Sequence, residues 1–330
     1  MTEQASSTGR TIVVTGGAGF IGSNLTEALL ARGDCVICID NFNDYYNPQL
    51  KRHNTAAFAG HPGFTLVEAD IRDRETILRL FEEMKPTHVA HLAAMAGVRY
   101  SIERASLYAD VNIQGTINLM DAAREAGVEN FVFASTSSIY GATDEIPFRE
   151  EQSTDYSLAP YPATKKAGEV MGYAYHNMFG LNFTALRFFT VYGPRVRPDM
   201  MAFMVMDRIL RDEEIPVFEN GEMHRDWTFV DDIVGGVVAA LDTPLGYEIL
   251  NLGRGEPVRL GDFVDIIEEL VGKRARVKPV PAPASEPPIT YASTEKIERL
   301  LNYRPTTSIR DGLRKTWEWF QTVPEDIRHR

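Results

Sequence analysis

The 330-residue chain sets 34 Lys and Arg against 46 Asp and Glu, a formal charge of −12. That excess of acid excludes a general nucleic-acid binder, which needs a basic face to displace counterions. At 44% apolar and 24% charged residues the composition is ordinary for a globular protein, which excludes a disordered chain. No apolar run reaches the ~18–20 residues of a membrane span, and the polar start MTEQASSTGR lacks the apolar core of a signal peptide. The expectation is a soluble, cytoplasmic protein with no membrane and no nucleic-acid partner. At about 150 residues per domain, the length predicts two domains or one large domain with a lobe.

In chain order, TIVVT (11–15) reads as a strand, followed by a glycine turn and a helical stretch over 20–32 that Gly33 closes. VICID (36–40), FTLVEAD (64–70), THVAHLA (87–93), NFVFAS (130–135) and NFTALRF (182–188) predict further strands. Apolar residues at helical spacing over 74–84, 104–126 and 161–179 lie between them. Alternating strands and helices predict an α/β fold on a parallel sheet. After about residue 190 the rhythm changes. YEILNLG (247–253) predicts one more strand returning to the large sheet, and 261–271, 294–301 and 308–321 predict helices of a smaller C-terminal lobe. VPAPASEPPI (280–289), with four prolines in ten residues, predicts an extended loop.

Cys35 and Cys38 form a C-x-x-C, but on a strand residues three apart face opposite ways, so the sulfurs should diverge. With no second cysteine pair, no metal site is expected.

Thr15-Gly16-Gly17-Ala18-Gly19-Phe20-Ile21-Gly22 sits between a strand and a helix, the context that a dinucleotide site requires. Gly16 permits the turn, Gly19 lets the backbone approach a pyrophosphate, and Gly22 lets the helix pack on the sheet. The helix start at Phe20 and Ile21 offers amide donors to phosphate. Asp40, 18 residues after Gly22, is placed to accept the adenine-ribose hydroxyls. A carboxylate there repels a 2′-phosphate and Asn41-Phe42-Asn43 offers no arginine, so NAD is expected over NADP. Asp70-Ile71 and Leu92-Ala93-Ala94 end the third and fourth strands beside it.

Tyr161 and Lys165, at i and i+4, share one face of a helix. An ammonium there stabilises a phenolate, so Lys165 is expected to lower the Tyr161 pKa and make it a base. Thr136, Ser137 and Ser138 follow a buried strand at its carboxyl end, where open α/β sheets bind ligands. A hydroxyl there can hold a reacting substrate hydroxyl and relay its proton to Tyr161.

GGAGFIG, Asp40, the STSS-IYG cluster and YPATK together resemble the extended short-chain dehydrogenase/reductase family, in its nucleotide-sugar epimerase/dehydratase branch, over nearly the whole chain. NFNDYYNPQLK (41–51), AGVRYSIE (96–103), RFFTVYGPRVRPDM (187–200) and HRDWTFVDDI (224–233) are similar to UDP-glucuronate 4-epimerases. The resemblance implies a Rossmann-type doubly wound parallel sheet with a smaller C-terminal α/β substrate lobe. Residues 1–190, joined by roughly 226–255, would bind NAD, and 191–225 with 256–330 would bind the nucleotide sugar. It also implies a homodimer through helices 104–126 and 161–179, and places Asn112 near the nicotinamide half of NAD.

The 4,6-dehydratases of this branch carry Asp-Glu after the threonine, and decarboxylases read T-S-E; this chain has Ser137-Ser138. Without a carboxyl acid/base group, simple 4-epimerisation of a UDP-sugar is the chemistry left: Tyr161 takes the 4-hydroxyl proton, and a hydride leaves C4 and returns to the opposite face of a 4-keto sugar. Galactose-type epimerases usually have Asn at Thr190 and lack R-P-D-M, so Thr190 and Arg197 are candidates to hold a 6-carboxylate. Arg225 is a candidate for the diphosphate, Arg99 for ordering the site loop, and Ser101 for the substrate side of the same block. Met95 stands where the family usually has Gln, and Glu286-Pro287-Pro288 replaces its P-G-D. A neutral-sugar epimerase and a non-catalytic NAD sensor remain as alternatives.

Overall fold

The computed structural model describes residues 9–283 and 286–329. Strands β1 (Thr11–Thr15), β2 (Cys35–Asp40), β3 (Phe64–Glu68), β4 (His88–His91), β5 (Asn130–Thr136) and β6 (Phe183–Phe188) form one sheet with the strand Tyr247–Leu252. The sheet has seven strands, in the order Tyr247–Leu252, β6, β5, β4, β1, β2, β3, and every pairing is parallel. β1 explains why a parallel sheet needs near-continuous apolar runs. Ile12 and Val14 pack into one core with Leu25, Leu29 and Ile233. Val13, pointing the other way, packs with Ile77, Phe81, Leu119 and Phe131.

Helices therefore cover both faces. Phe20–Ala31 and Val230–Asp242 lie on one; Arg74–Met84, the 105–126 helix and Pro160–Phe179 lie on the other. The order reverses at β1 and β4, and that switch point opens the crevice at the strands' carboxyl ends. As expected, 247–252 joins the large sheet beside β6. The cysteines diverge too: Cys35 is exposed and Cys38 buried.

The predicted helix 104–126 differs in detail. It runs as α-helix over Ala105–Ala109, widens to a π-turn at Asp110–Gln114, and resumes as α-helix over Gly115–Ala126. The extra residue turns Asn112 inward, where its side chain accepts from the Met95 amide (2.8 Å) and donates to the Met95 carbonyl (2.9 Å).

The C-terminal elements build a small sheet around His224–Phe229, which pairs with Thr190–Tyr192, Pro257–Arg259 and Ile289–Thr290. Glu214–Phe218 pairs separately with Arg276–Val280. The sequence pattern predicts none of these strands. Three have only two or three residues, and the others, His224–Phe229, Glu214–Phe218 and Arg276–Val280, carry charged or proline residues that interrupt an apolar run. Of the proline-rich stretch, 281–283 and 286–288 are loop, between the ends of Arg276–Val280 and Ile289–Thr290. No helix among the described residues is long and apolar enough to cross a membrane.

Glycines set how closely Pro160–Phe179 approaches the sheet. A Cβ on Gly172 would lie 2.2 Å from the Phe183 ring. Gly172→Ala should lower the unfolding free energy by roughly 1–3 kcal/mol, the usual penalty for overpacking. Gly235, in the exposed face of Val230–Asp242, has nothing within 4 Å of such a Cβ. Gly235→Ala should instead stabilise by about 0.5–1 kcal/mol through helix propensity. Urea unfolding midpoints of the two variants check both signs.

Candidate active site

The glycine turn is built from close backbone contacts. Gly16 has φ +67°, and a Cβ on it would meet the Ala93 amide at 2.9 Å; one on Gly22 would meet the Gly16 carbonyl at 2.2 Å. One on Gly17 would strike the Cys38 sulfur at 2.5 Å, so the buried cysteine is the small residue on which the turn rests. The helix Phe20–Ala31 starts at Gly19 with no side-chain cap and no acid in its first turn. Its first amides and the positive end of its dipole thus face the crevice, as an anion site requires.

Asp40 is fixed from three sides. Its Oδ1 accepts from the Phe42 amide (2.9 Å) and the Lys51 ammonium (3.1 Å), and its Oδ2 from the Ala18 amide (3.3 Å). Lys51, buried and facing the same cavity, was missed by sequence reasoning. The signal was present: Asn47 caps the helix Pro48–Ala56 with proline at its first position, which puts Lys51 in the opening turn beside Asp40. The glycine cradle, uncapped helix start and immobilised carboxylate fit a dinucleotide.

One cavity is lined by Gly16, Gly19, Phe20, Ile21, Gly22, Asp40, Asn41, Ile71 and Leu92–Ala94 at one end, and by Thr136, Ser137, Ser138, Tyr161, Lys165, Thr190 and Arg197 at the other. A second cavity is lined by Arg99, Arg225, Phe218, Trp227 and Glu286. Val98, Ser137, Ser138, Thr190 and Met200 line both, so the two meet at the serine turn.

Three predicted residues face neither cavity. Asp70 is occupied by Arg72 (2.7 Å) and Asn41 (3.0 Å), which hold its carboxyl low, at about 2. Asn112 is spent on Met95 and on Thr164 (3.0 Å). Ser101 is fully buried and donates to the Val98 carbonyl at 2.6 Å, closing the short helix that carries Arg99.

Lys165 is almost fully buried, its ammonium 4.7 Å from the centre of the Phe133 ring. Burial lowers its pKa to about 7, against the upward pull of Glu169. The Tyr161 phenol departs from expectation. Burial raises its pKa, and the opposing influences are a hydrogen bond with Thr136 and the charge of Arg197, rather than Lys165. The balance is upward because both groups sit deep in a low-dielectric site. Thr136 also accepts from the Ser138 amide (3.2 Å), which orders the turn.

Arg197 presents its Nε and Nη2 to the two oxygens of Asp199 at 2.9 and 3.0 Å, and Asp199 also accepts from Tyr45 at 3.1 Å. Its Nη1 has no bonded partner among the described residues.

Comparison with known proteins places this geometry. Residues 12–253 match the NAD dependent epimerase/dehydratase family. The chain is 42% identical over 330 residues to UDP-glucuronate 4-epimerase 4 of Arabidopsis thaliana, covering 94% of this chain and 75% of that one. It is 41% identical over 317 residues to UDP-glucuronate 4-epimerase of Thermodesulfobacterium geofontis, covering 96% and 98%. The crystal structure of UDP-glucuronic acid 4-epimerase from Bacillus cereus, in complex with UDP-glucuronic acid and NAD, superposes with a TM-score of 0.89 at 35% identity, covering 94% of this chain and 99% of that one.

The Asp40 contacts generate a cofactor test. Asp40→Ala should weaken NAD binding by at least tenfold, a loss of about 1.4 kcal/mol or more for hydrogen bonds to a charged group. With Lys51 left unpaired, the preference against NADP should also relax. Calorimetric titration of both cofactors measures this, and equal affinity of the wild type for the two would remove Asp40 as the selecting residue.

Proposed function

The chain belongs to the NAD dependent epimerase/dehydratase family, and we propose that it is an isomerase that interconverts UDP-glucuronate and UDP-galacturonate by NAD-dependent epimerisation at C4. One observation carries the choice of reaction. Among the described residues lining the first cavity the sole carboxylate is Asp40, at the dinucleotide end, while the sugar end carries Thr136, Ser137 and Ser138. Dehydration needs an acid to protonate a leaving hydroxyl, and among the described residues no carboxylate lines the sugar end of this cavity to supply it. NAD, when bound, supplies the acceptor and donor of the hydride at C4.

The chain's own residues supply the rest. The sugar lies where the cavities meet, its 4-hydroxyl toward Tyr161, which takes that proton and returns it. Thr136 opposes the upward shift of the phenol and steadies its anion. The charge of Arg197, rather than Lys165, favours loss of the proton. Thr190 and the Arg197 Nη1 hold the 6-carboxylate, with Asp199 fixing the guanidinium plane. This restraint also protects the intermediate. A 4-keto uronate is a β-keto acid and loses carbon dioxide when its carboxylate bond aligns with the carbonyl π system, so holding the carboxylate out of alignment prevents it. Arg225, on the second cavity, binds the diphosphate. Residues 1–190 with roughly 226–255 serve as the NAD domain, and 191–225 with 256–330 as the sugar-nucleotide lobe.

Two further features belong to this reading. Val170, Tyr173, Met178 and Phe179 expose 48–59% of their surface on Pro160–Phe179, and this apolar strip supports a homodimer through that helix and 105–126. Two free cysteines, one of them exposed, suit a reducing compartment such as the cytoplasm.

Incubation with UDP-glucuronate without added NAD, followed by NMR of the sugar, tests the assignment; a wild-type preference for UDP-glucose would sink it. Tyr161→Phe should lose 10²–10⁴-fold in rate, about what removal of a general base costs, with fold and bound NAD retained. Retention of more than about a tenth of the rate would move the base elsewhere. Arg197→Ala should slow the uronate by roughly 10²-fold, about 2–3 kcal/mol for a lost bond to a charged group. Any slow turnover of UDP-glucose should fall less, and a decarboxylated 4-keto pentose should leak. The ratio of rates on the two sugars is the decisive measurement.

A further inference from the structure

The second cavity contains its own anion. Glu286 places Oε2 3.0 Å from Arg225 Nη2 and Oε1 3.6 Å from Arg99 Nη2, so each carboxylate oxygen faces one arginine. The two arginines come from different parts of the chain. Arg99 sits on the short helix Val98–Ser101, its guanidinium 4.8 Å from the centre of the Phe218 ring. Arg225 lies on the strand His224–Phe229, where its Nη1 donates to the His224 carbonyl at 2.8 Å.

Glu286 and Arg225 are both largely buried, with side-chain exposures of 22% and 15%. Burial disfavours the Arg225 charge and Glu286 opposes that effect, since an unpaired guanidinium in such a place is costly. Among the described residues lining this cavity, Glu286 is the sole carboxylate. It points at the cations a substrate diphosphate would need.

We propose that Glu286 competes with the substrate diphosphate for Arg225 and Arg99, so that binding exchanges an internal carboxylate for the diphosphate and selects ligands with more than one negative charge. The inference rests on the reading of Arg225 as the diphosphate ligand. One carboxylate carries a single charge and reaches both arginines at once. A singly charged ligand gains little by replacing it. A nucleoside diphosphate brings at least two charges and several acceptor oxygens, so it makes stronger charge-assisted bonds than the group it displaces. Affinity is then held back by the fraction of molecules in which the arginines are free, and that reserve is the source of discrimination.

The test is calorimetric binding of UDP and of uridine to the NAD-containing protein as purified, for wild type, Glu286→Gln, Arg225→Ala and the double variant. Glu286→Gln should tighten UDP roughly tenfold, the factor expected if the arginines are free in about a tenth of molecules. Uridine, lacking phosphates, should bind unchanged. Arg225→Ala should weaken UDP by tenfold or more, and the Glu286→Gln gain should shrink in its presence, because the effect runs through that arginine. If Arg225→Ala weakens UDP while Glu286→Gln leaves it unchanged or weaker, the proposal is overturned and the diphosphate reading stands. Equal tightening of UDP and uridine would likewise overturn it, as relief of crowding. If Arg225→Ala leaves UDP affinity unchanged, the diphosphate reading falls and the proposal with it.

Discussion

The active-site architecture depends on one buried ion pair. Glu169, with no exposed surface, lies one turn beyond Lys165 on Pro160–Phe179 and takes the Nε and Nη2 of Arg187, each at 2.9 Å. The Ser135 hydroxyl donates to the same carboxylate at 2.6 Å. Arg187 in turn donates to Tyr140 (2.9 Å), which donates to Asn251 (2.6 Å). The chain of contacts ties the helix carrying Tyr161 and Lys165 to β5, to the turn after it, to β6 and to the edge strand. A buried pair of this kind contributes little net stability against an apolar alternative, but losing one partner strands a charge in the core. It therefore fixes the register of the helix on the sheet, and with it the placement of Tyr161 against Thr136.

Charge is handled in the same way at the mouth of the site. An acidic protein that takes an anionic substrate must concentrate cations locally and keep them in place. Lys51 is held by Asp40, Arg197 by Asp199, and Arg225 and Arg99 by Glu286. Each partner orients a cation and neutralises part of it, so a ligand must present the right geometry as well as negative charge. Lys165 is the exception. It has an aromatic ring beneath it and Glu169 one turn away, and its burial brings its pKa near 7, where its charge responds to what sits beside it.

Two joined cavities divide the recognition. The glycine turn, the uncapped helix and Asp40 define the dinucleotide end, and Arg99, Arg225 and Trp227 line the far end. The serine turn and Thr190 are common to both, and in the proposed reaction the reacting carbon would lie there, where neither end alone determines specificity. Small hydroxyl side chains there would leave room for the proposed 4-keto sugar to present either face.

Much of this was legible in the residues themselves. Alternating apolar runs located the strands of the large sheet, the glycine spacing located the turn, and Tyr161 with Lys165 marked the helix face that enters the crevice. These signals are local: they need only the strand and helix periods and the backbone freedom of glycine. What the tertiary structure decided was pairing. Asn112 turned inward on a π-turn to hold Met95, Ser101 was absorbed into a helix end, Asp70 was claimed by Arg72, and Lys51 joined Asp40. Tyr45 reached Asp199 across 154 positions, and Arg225 met Glu286 across 61. Even the direction of the Tyr161 shift, upward rather than downward, followed from how deeply it is buried. Sequence spacing determines which face of an element a side chain takes; which charge it meets there, and how much water remains around the pair, depends on where distant elements pack.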